Sequence, residues 1–239
     1  MRVLLLALCL LSLLPLPAQD GEDVGRGREA GRRAWLVATA IPDGIENPIQ
    51  VLAGKELTEV LLSKRSIGDS VAAPKDGIVR VVRPKPAAEL VEGEDPYITL
   101  AQARIPESVR KALIILVPAP PADAPKVFRT KVQDLAEFRG GGTLYLNLTP
   151  TEIGVKLGDA TIPLKPGAVR VHNVSNLNKP TNAPVSYHFR DPEKDEWKLI
   201  SASTLVLRPT RREICIFSVD ARFGRIDYHG VTFPVEREP

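Results

Sequence analysis

The sequence predicts an all-β protein built as an antiparallel β-sandwich, with two β subdomains and only short helical turns. Two observations support this class. Apolar and polar residues alternate with a period of two over many short segments, which is typical of strands with one buried face. Glycine and proline turns interrupt these segments about every ten residues, which gives about thirteen strand candidates. Such spacing is typical of a sandwich or barrel rather than of βαβ units.

The chain opens with a segment that has the pattern of a secretory signal peptide. Arg2 precedes an apolar run from Val3 to Leu14, and the small residue Ala18 follows two prolines. The run is shorter than the ~20 residues that a membrane-spanning helix needs, so we expect residues 1–19 to be cleaved. Residues 20–32 combine glycine and charge with almost no apolar side chains, which predicts a flexible leader. The mature protein is therefore expected in the periplasm or outside the cell.

Two β regions are expected after the leader, an N-terminal region at 33–118 and a C-terminal region at 126–237. The proline-rich segment 119–125 marks the boundary, because proline stiffens a linker and removes amide donors. The alternative is that 119–125 is a hairpin loop within a single sandwich. That loop would pair Leu113–Val117 with Val127–Val132.

The N-terminal region contains one clear alternating strand and one clear buried strand. The first strand is predicted by alternating residues of one parity, Trp35, Val37, Thr39 and Ile41. The buried strand is predicted by the length of the apolar run Ala112–Val117. Helical turns are expected where capping or first-turn residues meet apolar spacing. The three candidates are Leu57 with Val60 and Leu61, Pro106–Arg110, and Asp134–Phe138.

The C-terminal region has the clearest strand pattern, a meander over residues 142–171. Its turns fall at Gly158-Asp159 and at Lys165–Gly167. Three short strands with tight turns indicate immunoglobulin-like character. The predicted faces are Leu144, Leu146 and Leu148 on one side, and Tyr145, Asn147 and Thr149 on the other.

Two segments resemble the periplasmic pilus chaperones. The opening of their second domain is similar to Asn147–Pro150 and the alternating apolar residues that follow it. The end of their first domain is similar to Leu113–Val117 followed by Pro118. The sequence from Trp35 onward does not match their N-terminal region. The resemblance implies an assembly role for surface subunits, and the basic pair used in the chaperone cleft would fall on Arg33 and Lys111.

Composition excludes several classes of function. The net charge of +3 becomes +2 without Arg2, and aromatic residues make up only 5%. Because no aromatic residues interleave with the basic clusters at 26–33 and 208–212, no nucleic-acid binding is predicted. No later apolar run reaches membrane-spanning length, so no transmembrane anchor is expected. Cys9 leaves with the signal peptide and Cys215 remains alone, which excludes an internal disulfide and favours a bacterial envelope protein.

The side chains that carry chemistry are few, and no catalytic, cofactor-binding or metal-binding residue is predicted. A copper site needs two histidines, a cysteine and usually a methionine, but Met1 is the sole methionine. The histidines are expected on strand surfaces and Cys215 in the core. The possible soft ligands are His172, His188, His229 and Cys215. The acidic groups Glu92–Asp95 and Glu193 with Asp195 lie in turn-like segments, where solvated loops are expected.

These observations predict an exported, noncatalytic β-sandwich protein of the bacterial envelope with a structural or protein-binding role. Its expected partner is another envelope or extracellular protein, and its oligomeric state is open. Trp197, which shares its parity with Leu199, Leu205 and Leu207, is expected to pack in the core. An edge strand beside a cleft with two basic residues would favour a chaperone-like assembly factor. A pocket that gathers serine, histidine and aspartate, or two carboxylates, would favour a secreted hydrolase.

Overall fold

The computed structural model describes residues 31–220 and 222–235, which form sixteen β-strands and two short 3-10 turns at Ala87–Glu89 and Pro121–Asp123. The all-β prediction is confirmed. The strands belong to four four-stranded sheets that pack face to face as sandwiches. The predicted signal peptide and residues 20–30 of the predicted leader lie outside the described residues.

The first eight strands form two packed sheets, which we call the N-terminal sandwich. They are β1 (Arg33–Ala38), β2 (Ile49–Ala53), β3 (Glu56–Val60), β4 (Val71–Ala72), β5 (Ile78–Pro84), β6 (Tyr97–Arg104), β7 (Lys111–Pro118) and β8 (Phe128–Asp134). The strand orders are β4-β1-β7-β8 and β3-β2-β5-β6. Their shared core consists of alanine, valine, leucine and isoleucine, with Phe128 as its one aromatic residue among those described as buried.

The next eight strands form a second pair of sheets, which we call the C-terminal sandwich. They are β9 (Thr143–Asn147), β10 (Ile153–Leu157), β11 (Ala160–Leu164), β12 (Val169–His172), β13 (Thr181–Arg190), β14 (Trp197–Leu207), β15 (Arg211–Val219) and β16 (Ile226–Pro234). The strand orders are β12-β9-β15-β16 and β11-β10-β13-β14. Each position in these orders is occupied by the strand eight places later than in the N-terminal sandwich.

The two sandwiches are therefore structural repeats of each other within one chain. In both sandwiches the first and seventh strands run parallel, β1 with β7 and β9 with β15, whereas the other neighbouring strands are antiparallel. The second and third strands form matching five-residue hairpins. The turn residues Gly54 and Gly158 occupy equivalent places and have positive φ angles of 64° and 55°. This left-handed conformation favours glycine because it has no Cβ.

The two sandwiches pack against each other through the sheets that contain the parallel pairs. Side chains from β1 and β7 share a buried cluster with side chains from β9, β15 and β16. Residues from Gly31 onward form one compact unit. The sheets thus lie in four layers, and the two inner sheets are covered on both faces.

This layering corrects the expectation that β1 and β9 bury one face each. Ala34 and Leu36 are buried on one face of β1, and Trp35 and Val37 on the other. Tyr145, predicted on the opposite face to the leucines of β9, is fully buried between the sheets of the C-terminal sandwich. Sheets with parallel strands commonly need cover on both faces, because continuous apolar runs leave neither face polar.

The helical turns predicted from the sequence take other forms. The segment with Leu57 and Val60 belongs to β3, which pairs with β2, so that prediction is wrong. Pro106–Arg110 and Asp134–Phe138 each contain a tight turn closed by one backbone hydrogen bond, of 3.0 and 3.2 Å. The segment 119–125 connects β7 to β8, which pair as an antiparallel hairpin.

The core position expected for Trp197 is also wrong. Its side chain is 48% exposed and that of Leu199 is 60% exposed, whereas Leu207 is buried. A β-bulge in the pairing of β13 with β14 shifts the register between Tyr187 and His188. One extra residue reverses the alternation of faces, so Trp197 and Leu199 point outward although they share their parity with Leu207.

Candidate ligand cleft

Two cavities lie where the sandwiches meet, on either side of the Trp35 and Phe233 side chains. The first has a volume of about 480 Å³, and we call it the basic cleft. The second, of about 680 Å³, is bordered by the loop that follows β3. Both are within the size range of ligand-binding cavities.

The floor of the basic cleft is apolar. Trp35, Leu135 and Phe233 line it, and each is at most 5% exposed. The rings of Trp35 and Phe233 lie 5.9 Å apart at an angle of 59°. Both belong to the core layer that the two sandwiches share, so this floor exists only where the two repeats meet.

The rim of the basic cleft carries four cationic side chains. Arg110 and Lys111 stand at the start of β7, Arg139 lies between β8 and β9, and Arg212 belongs to β15. Arg110 and Arg139 are exposed, and within the described residues their side chains form no hydrogen bond or ion pair. Two guanidinium groups are therefore available to a ligand.

Arg212 has a structural role in this rim. Its Nε donates a hydrogen bond to the carbonyl oxygen of Phe138. Its guanidinium carbon lies 5.8 Å from the centre of the Phe138 ring and 5.3 Å from that of Phe233, which places it between two aromatic rings. Such cation–π contacts hold the guanidinium in place. Arg212 thus fixes the cleft wall and adds positive charge to it.

Among the described residues that line the basic cleft, Asp134 is the one carboxylate, and it already accepts a hydrogen bond. The amide nitrogen of Ala136 lies 2.8 Å from its Oδ1. The exposed guanidinium groups of Arg110 and Arg139 give the described part of the cleft a positive charge, and the apolar floor raises the effect of that charge. The cleft is therefore suited to an anionic group attached to apolar surface.

The second cavity is lined by hydroxyl groups and charges of both signs. Ser63, Ser66 and Ser70 border it, together with Arg33 and Glu59. The Nε of Arg33 donates a hydrogen bond of 2.6 Å to the Oγ of Ser70. Of the basic pair implied by the chaperone resemblance, Lys111 therefore lines one cavity and Arg33 the other, although they are register partners on β1 and β7.

The histidines lie apart, on β12, β13 and β16. All three are partly buried rather than fully exposed on strand surfaces. The described residues contain no group of three or more histidine, cysteine, aspartate or glutamate side chains that could hold a metal ion. Burial, and to a lesser degree the charge of Lys64, lowers the pKa of His229.

Cys215 is buried, as the sequence predicts. Burial raises the pKa of its thiol to about 12, so the thiol stays protonated and poorly nucleophilic at neutral pH. It lies in the core of the C-terminal sandwich near Tyr187.

Three of the acidic residues noted in the sequence, Glu94, Asp95 and Asp195, form ion pairs at turns. Asp95 pairs with Arg80, and Asp195 makes a bidentate pair with Arg190 at 2.6 and 2.9 Å. These guanidinium groups lower the pKa of both carboxyl groups. They therefore remain ionised and occupied near neutral pH.

Sequence reasoning missed the basic cleft because its residues come from distant parts of the chain. Arg110 and Arg139 carry no motif and are brought together by the turn before β7 and the segment after β8. The one signal was the basic pair Arg110-Lys111 directly before the apolar run of β7. Arg212 was noted in the sequence as a member of the basic cluster at 208–212.

Comparison with known proteins found no family model and no curated protein that matches this chain. Among the described residues, no helix has the length and hydrophobicity that crossing a lipid bilayer requires.

Proposed function

We propose that this protein is an exported, noncatalytic binding component of the bacterial envelope, and that its basic cleft takes an acidic segment of another envelope or extracellular protein. The observation that carries the proposal is the pair of exposed guanidinium groups, Arg110 and Arg139, at the rim of an apolar floor. Export is inferred from the sequence pattern of residues 1–19.

The cleft favours a protein segment over a small anion. Trp35, Leu135 and Phe233 offer apolar and aromatic surface, which a peptide with mixed acidic and apolar side chains would cover. Aromatic and arginine side chains are the groups that most often anchor protein interfaces. A cleft of about 480 Å³ has room for a few residues of an extended chain.

The lining of the cleft favours binding over hydrolysis. Ser108 is its one hydroxyl side chain among the described lining residues, and no histidine lies beside it. Asp134 accepts a backbone hydrogen bond and is the sole carboxylate among the described residues of the lining. A general base paired with a nucleophile, which a hydrolase of the serine type needs, is not assembled by these residues.

A chaperone-like assembly role is the second candidate. Arg33 and Lys111 are register neighbours on the parallel strands β1 and β7, and β4 pairs only with Arg33 and Ala34 of β1. Strand addition beside basic residues is what this role would need. An immunoglobulin-like class for both sandwiches, which we also propose, would fit it. Capture of a surface subunit through its own strand would favour this role over simple binding.

The proposed function can be tested with a fluorescein-labelled peptide in which glutamate alternates with leucine. We expect the full-length protein to bind this peptide and not a matched peptide with lysine in place of glutamate, measured by fluorescence anisotropy. Added salt should weaken the binding, because charge pairs at a partly exposed rim are screened.

The matched variants separate the cleft from the general charge of the protein. The double variant Arg110→Ala/Arg139→Ala should raise the Kd for the glutamate peptide at least about tenfold, which corresponds to about 1.4 kcal/mol. The control Arg83→Ala/Arg104→Ala removes two exposed arginines on β5 and β6 and should leave the Kd unchanged. Equal losses in the two double variants, or equal binding of the two peptides, would overturn the proposal.

A further inference from the structure

We propose that a second copy of this chain pairs with the free edge of β14, so that two C-terminal sandwiches share one continuous antiparallel sheet. This inference concerns a surface away from the basic cleft and does not depend on the proposed function. It rests on the length of β14, on its open edge, and on the complementarity of its two ends.

β14 is the longest edge strand in the described structure and the least protected one. It has eleven residues and contains no proline or glycine, and Lys198 is its single charge. In natural sheets, prolines, charges or very short strands usually prevent such edges from pairing with another chain. Six of the seven other edge strands show these devices, and β6 is the exception. Of the six, β4 has two residues, β12 has four, β11 contains Pro163, β3 contains two glutamates, β8 contains Arg129 and Lys131, and β16 ends at Pro234.

In the part of the chain that the structure describes, the C-terminal sandwich also leaves the β14 edge without a backbone partner. In the N-terminal sandwich the equivalent strand, β6, is joined to the β8 side by the amide of Val127 and the carbonyl of Leu100 at 2.7 Å. Within the described residues, no backbone hydrogen bond joins β14 to β16. The contact between these two strands is instead a side-chain hydrogen bond of 3.2 Å, which the hydroxyl of Tyr228 on β16 donates to the Oγ of Ser201 on β14.

The outer face of β14 is self-complementary about Ala202. The bulge makes Ile200 and Ser201 share one place in the ladder, since Ser201 pairs with Tyr187 and the next pair joins Leu199 to His188. An antiparallel copy centred on Ala202 then sets Trp197 opposite Val206 of the second copy. Leu199 comes opposite Thr204 in the same way. Cross-strand pairs of an aromatic with a β-branched residue are among the stabilising ones.

The charges at the two ends of β14 are complementary as well. The turn 191–196 before β14 carries four carboxylates and one lysine, whereas Arg208 directly follows β14. Within the described residues, the side chains of Glu193, Glu196 and Arg208 form no hydrogen bond or ion pair. Antiparallel pairing brings the acidic turn of each copy beside Arg208 of the other.

The oligomeric state tests this inference directly. We expect sedimentation velocity of the full chain to show a monomer–dimer equilibrium that depends on concentration. Ala202→Lys places like charges opposite each other on the dimer axis and should raise the dissociation constant at least tenfold. The control Thr161→Lys adds the same charge on the exposed face of β11, the other edge of this sheet, and should change nothing.

A charge swap distinguishes this interface from any other. Arg208→Glu and Glu196→Arg should each weaken the dimer, whereas the double variant should restore it, because each acidic end again meets a basic end. Far-UV circular dichroism confirms that each variant is folded. A monomer at every concentration, a dimer that survives Ala202→Lys, or a double variant as weak as the single ones would overturn the inference.

A disulfide provides a positive signal. Ala202→Cys, made together with Cys9→Ser, places one exposed thiol opposite its own copy, while Cys215 remains buried. Residues directly opposite in antiparallel strands are close enough for a disulfide bond. We expect mild oxidation to give a covalent dimer, and no covalent dimer from Thr161→Cys in the same background. Equal crosslinking of the two variants would also overturn the inference.

Discussion

The two sandwiches share a strand order but differ in what fills them. In the N-terminal sandwich the inner side chains other than Phe128 are aliphatic and mostly small, whereas the C-terminal sandwich contains several tyrosine and phenylalanine rings. The parallel registers identify equivalent positions in the two cores. They are Leu36 and Tyr145, Ile114 and Cys215, and Leu116 and Phe217.

The larger side chains form an aromatic cluster at the open side of the C-terminal sandwich. The ring of Tyr187 lies 5.2 Å from that of Phe217 and 4.5 Å from that of Tyr228, centre to centre. Burial raises the pKa of Tyr187 and Tyr145 above the ordinary value, so both hydroxyls stay protonated. The comparison shows that one topology accommodates two core chemistries, and we attribute the open β14–β16 side to the space that these rings occupy.

The largest expected effect comes from the layer that the two sandwiches share. Leu113→Ala and Ile216→Ala each remove a fully buried side chain from that layer and should cost about 2–5 kcal/mol of unfolding free energy. Because both repeats contribute to the layer, each variant should shift the unfolding of both sandwiches. Leu57→Ala, at a site 41% exposed, is the control and should have a much smaller effect.

Two probes can follow the shared layer and the C-terminal core in urea. In a Trp197→Phe background, tryptophan fluorescence reports on Trp35 of β1, which packs against Phe233 in the layer that the two sandwiches share. Near-ultraviolet circular dichroism of tyrosine reports mostly on the C-terminal sandwich, which contains Tyr145, Tyr187 and Tyr228. Coincident transitions that shift together are expected. Separate transitions, with the tyrosine signal unaffected by either variant, would mean that the C-terminal core unfolds independently of the shared layer.

An intermediate effect is expected when the equivalent core residues are exchanged. Leu116→Phe inserts a ring into the tightly packed N-terminal core and should cost about 1–3 kcal/mol by overpacking. Phe217→Leu should cost about 1–2 kcal/mol by leaving a small cavity. Urea midpoints give both values. If Leu116→Phe left the urea midpoint unchanged, core volume would not explain why the β6–β8 side of the N-terminal sandwich is closed and the β14–β16 side of the C-terminal sandwich is open.

The smallest effect concerns pH and the contact between the repeats at β16. His229 lies on the face of β16 that also bears Val231 and Phe233, and its pKa is lowered by burial and then by Lys64. The unfolded chain, in which the histidine pKa is about 6.5, binds more protons as the pH falls. Stability should therefore decrease as the pH falls from above about 6.5 toward the lower folded-state pKa.

His229→Gln removes this titration and should flatten that part of the pH dependence. The measurement is the urea midpoint of wild type and variant at pH 7.5 and pH 5.5. His188→Gln, on β13 and away from the shared layer, is the matched control. An unchanged slope in His229→Gln would show that this histidine does not couple to folding.

The sequence was most informative about local structure and least informative about layers. Alternation and turn residues predicted the all-β class, and the two isoleucines beside Cys215 predicted its burial; the structure confirms both. Trp197 was assigned to the core because parity was carried through a bulge that no sequence signal marked. The prediction that β9 buries only one face was wrong, because alternation along a strand cannot show whether a second sheet covers the other face.

By itself, the sequence determined strand periodicity, the turns and the scarcity of reactive side chains, because these depend on neighbouring residues along the chain. The tertiary structure alone decided the repeat of eight strands, the four layers, the basic cleft and the open edge of β14. These features depend on which faces and edges meet. Residues as distant as Arg110 and Arg212 become neighbours only when the inner sheets bury their apolar faces against each other.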